Sequence, residues 1–189
     1  NKLIKLVSIF TFTLFSYANA EVKMGVEGGL GYADMRAEET AQTLANLSGS
    51  TVTYTYDEAT WMGRVFADYE LSTEMSLEVG FFFTGSLDAK YTISGVTATE
   101  AYEARAFDVA LGFKDAESGL FFKGGAHSSE IDGSATITIS GTTYAANASA
   151  SGTGYLFGGG IDFDSSGGYT SRIGYTYYAN MGGESDADI

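Results

Sequence analysis

The chain has 189 residues, a net charge of −14, 25 glycines, 13 Phe, 13 Tyr and one Trp, with no Cys and no Pro. The missing cysteine excludes disulfide scaffolds, Cys-ligated zinc, iron–sulfur clusters and thiol catalysis. The acidic balance argues against nucleic acid as a partner, because phosphate needs a basic face. Charged residues at only 18% are too few for disorder, which leaves one all-β, Gly- and Tyr-rich domain.

Residues 1–20 read as a secretory signal peptide. Lys2 and Lys5 open it, an apolar stretch spans 6–15, and Ala18-Asn19-Ala20 is a small-x-small cleavage site. The domain is then 21–189. Strict alternation of apolar and polar residues, the period of a strand, begins at once. In 22–33, Val22, Met24, Val26, Leu30 and Tyr32 oppose Lys23, Glu27 and glycines. The same pattern predicts strands over 61–71, 75–85, 105–113, 120–129, 154–163 and 169–178. Connections near 72–73, 114–119 and 164–168 are short. Those over 34–60, 86–103 and 130–153 are long and rich in Thr, Ser and Ala. Ser-Gly recurs at 48–49, 94–95 and 140–141, which predicts three hairpins, each with a Ser-Gly tip.

Period alone does not say which face points inward. A soluble barrel buries its apolar face, whereas a transmembrane barrel turns it toward lipid. The polar faces carry Lys23, Arg64, Lys123 and Arg172 against Glu27, Asp68, Glu78, Asp108 and Asp162, set among glycines. Such near-balance suits an enclosed lumen, where an unpaired charge is costly. The apolar faces place Tyr32, Trp61, Tyr155 and Tyr177 at the long-loop ends and Tyr69, Phe113, Phe163 and Tyr169 at the short-turn ends. These form two aromatic girdles. The expected fold is therefore an all-β, antiparallel, up-and-down transmembrane β-barrel with short periplasmic turns and long extracellular loops.

Several segments carry a resemblance: Ala67-Asp68-Tyr69-Glu70-Leu71 with Leu77-Glu78-Val79-Gly80-Phe81, then Phe122-Lys123-Gly124-Gly125, Gly158-Gly159-Gly160-Ile161-Asp162-Phe163, and Ser171-Arg172-Ile173-Gly174-Tyr175. In order and spacing the chain resembles the OmpA-like transmembrane barrel family, small eight-stranded outer-membrane proteins of Gram-negative bacteria. The resemblance implies a lumenal salt-bridge plug in which Glu78 and Arg172 form the central pair and Lys123 is the fifth-strand cation. The family's second acidic partner, two residues after the arginine, is Gly174 here. It also implies eight strands where seven are visible, so the closing strand is expected beyond Ile189.

The one histidine, His127, falls two residues before Ser129, with Glu130 beside them, a combination that a lipid hydrolase could use. Its parity puts His127 in the lumen, away from lipid, and no Gly-x-Ser-x-Gly elbow occurs. The acidic groups Glu38-Glu39, Asp57-Glu58, 130–132 and 184–188 lack calcium-loop spacing. No enzyme activity, cofactor or metal is expected. The expected function is a structural or envelope-integrity role, or surface interaction through the loops. The expected setting is the bacterial outer membrane, as a monomer among outer-membrane lipid and lipopolysaccharide. Host or phage surface proteins would be met through loops 34–60, 86–103 and 130–153. A narrow porin-like channel for small solutes or ions is the alternative, and a soluble, secreted ligand-binding barrel stands third.

Overall fold

The computed structural model describes residues 5–19, 22–34, 36–164 and 170–183. In chain order the elements are β1 (Lys5–Asn19), β2 (Val22–Asp34), α1 (Ala37–Ser48), β3 (Val52–Tyr56), β4 (Ala59–Glu70), β5 (Met75–Thr84), β6 (Leu87–Ile93), β7 (Val96–Lys114), β8 (Leu120–Ile139), β9 (Thr142–Asp164) and β10 (Thr170–Tyr178). Eight of the strands close a ring in the order β2-β4-β5-β7-β8-β9-β10-β1, with the β7–β8 pairing completing it. Every pairing is antiparallel. This is the all-β barrel that the alternating pattern predicts.

The apolar face points out. Phe107 and Val109 on β7 are 68% and 48% exposed and Phe122 on β8 65%, while Asp108 on β7, Arg64 on β4 and Glu78 on β5 are at most 3% exposed. A soluble barrel would reverse these values, so the lumen is the charged side. Gly125 and Gly160 show why the polar face is rich in glycine. A Cβ on Gly160 would stand 2.1 Å from the Ile173 carbonyl oxygen, and one on Gly125 would stand 2.0 Å from that of Val109. Neighbouring strands curve too tightly there for any side chain.

β7, β8 and β9 run 19, 20 and 23 residues, about twice what a tilted transmembrane strand needs. Their upper halves continue past the ring and are joined by β6 and β3. The result is a five-stranded blade, β3-β6-β7-β8-β9, standing above one side of the barrel. Two of its tips are the predicted Ser-Gly turns. Ser94 and Gly95 have φ of 48° and 86°, and Ser140 and Gly141 have 49° and 84°, the left-handed pair that a two-residue hairpin turn requires.

The third Ser-Gly is a correction. Ser48-Gly49 ends a helix instead of a hairpin, with Gly49 at φ 64° and its N–H donating to the Ala45 carbonyl. Ala37, Ala41 and Leu44 recur at helical spacing, with Glu38 and Glu39 in the first turn where they favour the helix dipole. α1 lays that stripe against the blade's inner side, where Ala37 and Ala41 join Ala89 and Tyr91 in one buried cluster.

β1 covers residues read above as a leader. It pairs with β2 (Leu14↔Val26) and with β10 (Phe12↔Ile173), and so occupies the eighth place in the ring. An apolar stretch with Thr11 and Thr13 two apart has strand propensity. The facing edges of β2 and β10 would otherwise leave backbone groups without partners. Both β1 pairings contain bulges, whereas those among the other strands run without a shift.

Candidate functional site

The lumen holds one connected set of buried ion pairs. Arg64, from β4, donates through Nε to Asp108 Oδ2 at 2.9 Å and through Nη2 to Oδ1 at 2.5 Å. Its Nη1 donates to Glu27 Oε2 at 3.2 Å, and Nη2 lies 2.8 Å from Glu78 Oε1. Glu78, from β5, is the hub. Lys123 Nζ donates to its Oε1 at 3.0 Å and Arg172 Nη1 to its Oε2 at 3.0 Å. Arg172 also grips Asp162 bidentately, at 2.7 and 3.2 Å, and Tyr178 donates its hydroxyl to Asp108 at 3.3 Å. The pairing of Glu78, Arg172 and Lys123 implied by the resemblance is thus present in the geometry.

Two predicted members sit apart from this centre. Lys23 is at the short-turn mouth, bonded to Glu70. Asp68 is buried near it, and among the described residues nothing donates a hydrogen bond to its Oδ1. Lys114, which the sequence reading passed over, reaches Asp162 at 3.4 Å. Below the ion pairs, a cavity of about 60 Å³ opens toward the short turns, lined by Asp68, Ser76, Lys114 and Arg172 among others. In one of those turns the Ser118 hydroxyl and backbone N–H both donate to Asp115. They hold that exposed carboxylate below its usual range.

The position where the family's second acid would stand has a physical account. A Cβ on Gly174 would meet Phe121 Cζ at 2.9 Å, so the glycine leaves room for an aromatic ring. Arg172 stacks on that ring at 4.0 Å. Arg64 lies over Phe66 at 4.9 Å in the same manner. Above the charges, Phe82 packs on Tyr178 with ring centroids 4.6 Å apart. Met62, Leu87, Ile131, Leu156 and Met181 complete an apolar layer there. Parity alone places Phe121, Phe66, Phe82 and Tyr178 inside, but a reading that equated the lumen with polar residues gave the aromatic ones no role.

The hydrolase arrangement does not assemble. His127 and Ser129 face the lumen, where His127 Nε2 lies 2.7 Å from the Ala179 carbonyl and Ser129 Oγ accepts from the Gly182 N–H at 2.9 Å. Glu130 points to the opposite face and pairs with Arg105 at 3.0 Å. Of the girdle residues, Tyr32, Trp61, Tyr69, Phe113, Tyr155 and Phe163 are exposed on the outer face. Tyr177 is half-buried against Phe157, centroids 5.0 Å apart, and Tyr169 lies outside the described residues. No helix among the described residues is long and apolar enough to cross a membrane, which says nothing of crossing by strands.

A family model described as "OmpA-like transmembrane domain" matches residues 18–189. No curated protein matches. Among solved structures, the crystal structure of the P. putida toluene transporter TodX is similar at TM-score 0.32 and 12% identity, over 88% of this chain and 67% of that one. A likeness of that size carries no argument.

Proposed function

The chain belongs to the OmpA-like transmembrane domain family, and from that premise we propose that this outer-membrane barrel is a rigid anchor whose working part is the blade. The single observation behind the reading is the contrast between its two ends. The lumen is filled by ion pairs and an aromatic layer, which disfavours a path for solutes. By contrast, three strands continue past the ring into exposed sheet. A sheet with open edges binds extended segments by strand addition. The barrel stands as a monomer among lipopolysaccharide, holds no cofactor and catalyses nothing.

Deleting residues 89–101 removes most of β6 and the upper part of β7 while leaving every ring pairing of β5 with β7. The deletion is expected to spare membrane insertion and to abolish surface binding or phage sensitivity. Unchanged binding after each of the three loop deletions would remove the reading.

Residues 1–20 belong to this proposal as a cleaved leader. The bulged pairings of β1 support it. The membrane-inserted protein is expected to begin at Glu21. Recovery of Lys5 in its N-terminal peptide would assign β1 to the mature barrel.

A further inference from the structure

The outward face of the blade is covered in hydroxyls. The register aligns Thr53, Thr92, Thr97, Thr138 and Thr143 in one row across all five strands. The next row down reads Thr55, Lys90, Thr99, Thr136 and Ala145, and every residue of both rows is exposed or half-buried. The Thr99 and Thr136 hydroxyls lie 2.5 Å apart, those of Thr138 and Thr143 3.0 Å. In each pair one O–H is used and the other remains to donate. Strand formation alone does not demand such a face. Threonine suits a strand, yet the inward positions of the same strands carry Val52, Ile93, Ile137, Ile139 and Tyr144.

This face continues the lipid-facing wall of the barrel. Going up β7, the outward positions run from Val109 and Phe107 through Arg105 and Glu103 to Thr99 and Thr97. On β8, Glu130 and Asp132 stand beside Arg105 and Glu103. Charge is concentrated in these two rows next to the lipid, where a lipid carries its phosphates. Above them residues 133–153 carry none, and β6 adds only Asp88 and Lys90. Thr99 lies eight residues past Phe107, about 27 Å along the strand and about 20 Å up at the usual tilt. A phospholipid headgroup layer is only about 5–8 Å deep. A lipid that reaches these threonines has a tall, uncharged, hydroxyl-rich head.

We propose that the outward face of the blade is a saccharide-binding surface, occupied by the oligosaccharide of the lipopolysaccharide in the same leaflet. Hydroxyl meets hydroxyl there. A threonine with its O–H to give donates to a sugar oxygen and accepts from a sugar O–H. Continuity with the lipid-facing wall selects the occupant, because the sugars of that leaflet already stand against this side of the blade. The proposal rests on the barrel standing in an outer membrane, and it is separate from strand addition at the blade's edges.

The test uses the full chain folded in detergent micelles with magnesium present, the folding of each variant being checked by heat-modifiable gel mobility. Fluorescence anisotropy compares two labelled probes, lipopolysaccharide with a complete core oligosaccharide and lipid A without those sugars. The parent chain is expected to bind the core-bearing probe about tenfold more tightly, the net worth of one or two hydrogen bonds. Thr97→Val, Thr99→Val, Thr136→Val and Thr138→Val together keep the branched shape that strands favour and remove four hydroxyls. That chain is expected to lose the preference, whereas serine at the same four positions keeps it, as does the inward control Thr142→Val. Equal binding of the two probes by the parent overturns the proposal, and so does a four-valine chain that keeps the preference. A lipid-free capsular polysaccharide that binds as tightly as the core-bearing probe also overturns it, assigning the face to a glycan from outside. Insertion into phospholipid vesicles, read by the same gel shift, tests the membrane reading separately. Insertion without a core preference removes the saccharide site alone; failure to insert removes both.

Discussion

Replacing Arg64 with alanine is expected to cost the barrel about 3–5 kcal/mol, the usual effect of removing one partner from a buried ion pair. The side chain is 1% exposed and serves Glu27, Glu78 and Asp108 together. Its loss does not fall evenly on the three. Glu78 keeps Lys123 and Arg172, each at 3.0 Å, and Glu27 keeps Lys123 at 3.9 Å. Among the described residues Asp108 keeps only the Tyr178 hydroxyl, at 3.3 Å, so it becomes the uncompensated buried charge. Asp108→Asn in the same chain should therefore recover a large part of the loss. A double-mutant cycle reads that coupling directly. Arg64→Lys should recover less, because a point charge does not reproduce a planar fork that reaches three carboxylates. Arg172→Ala should cost less than Arg64→Ala, since Asp162 retains Lys114 at 3.4 Å. Urea titration in lipid vesicles, followed by the emission of Trp61, the one tryptophan, measures all four variants. An Arg64→Ala midpoint equal to that of the parent would mean the ion pairs do not hold the barrel.

The ring of strands was legible because one rule, alternation, serves both the backbone and the solvent. In β2 the same residues that keep Glu27 and Lys23 off the outer face put Val26 and Leu30 on it. The charged centre was legible for the same reason: Arg64, Glu78, Asp108, Lys123 and Arg172 share the inward parity of their strands. The aromatic half of the lumen followed from that parity too. It was overlooked because Phe121 and Phe82 resemble the lipid-facing residues beside them, and only the space left by Gly174 shows what Phe121 does. Residues 34–60 misled by their Thr and Ser content and by the repeat, which made Ser48-Gly49 look like a third hairpin tip. The helical spacing of Ala37, Ala41 and Leu44 was the signal present. The place of residues 5–19 was not legible, because an apolar leader and a membrane strand have nearly the same composition.

Introducing a lysine at Val109 separates the membrane barrel from a soluble one by the sign and size of a single effect. Val109 is the central outward residue of β7 within the ring, with Phe107 above it and Leu111 below, and it is 48% exposed. In lipid, Val109→Lys places a charge near the middle of the hydrocarbon, which costs about 2–4 kcal/mol. In water, the same substitution at an exposed position changes stability by no more than about 0.5 kcal/mol. Thr143→Lys supplies the control. It adds the same charge to the outward face of β9, above the ring and in solvent, so it should be close to neutral in either setting. The expected result is a large loss for Val109→Lys in vesicles beside an unchanged Thr143→Lys. Two equal midpoints would mean that the outer face of the ring does not meet lipid. The proposal that the barrel anchors the blade in a membrane would then fail, whatever the blade binds.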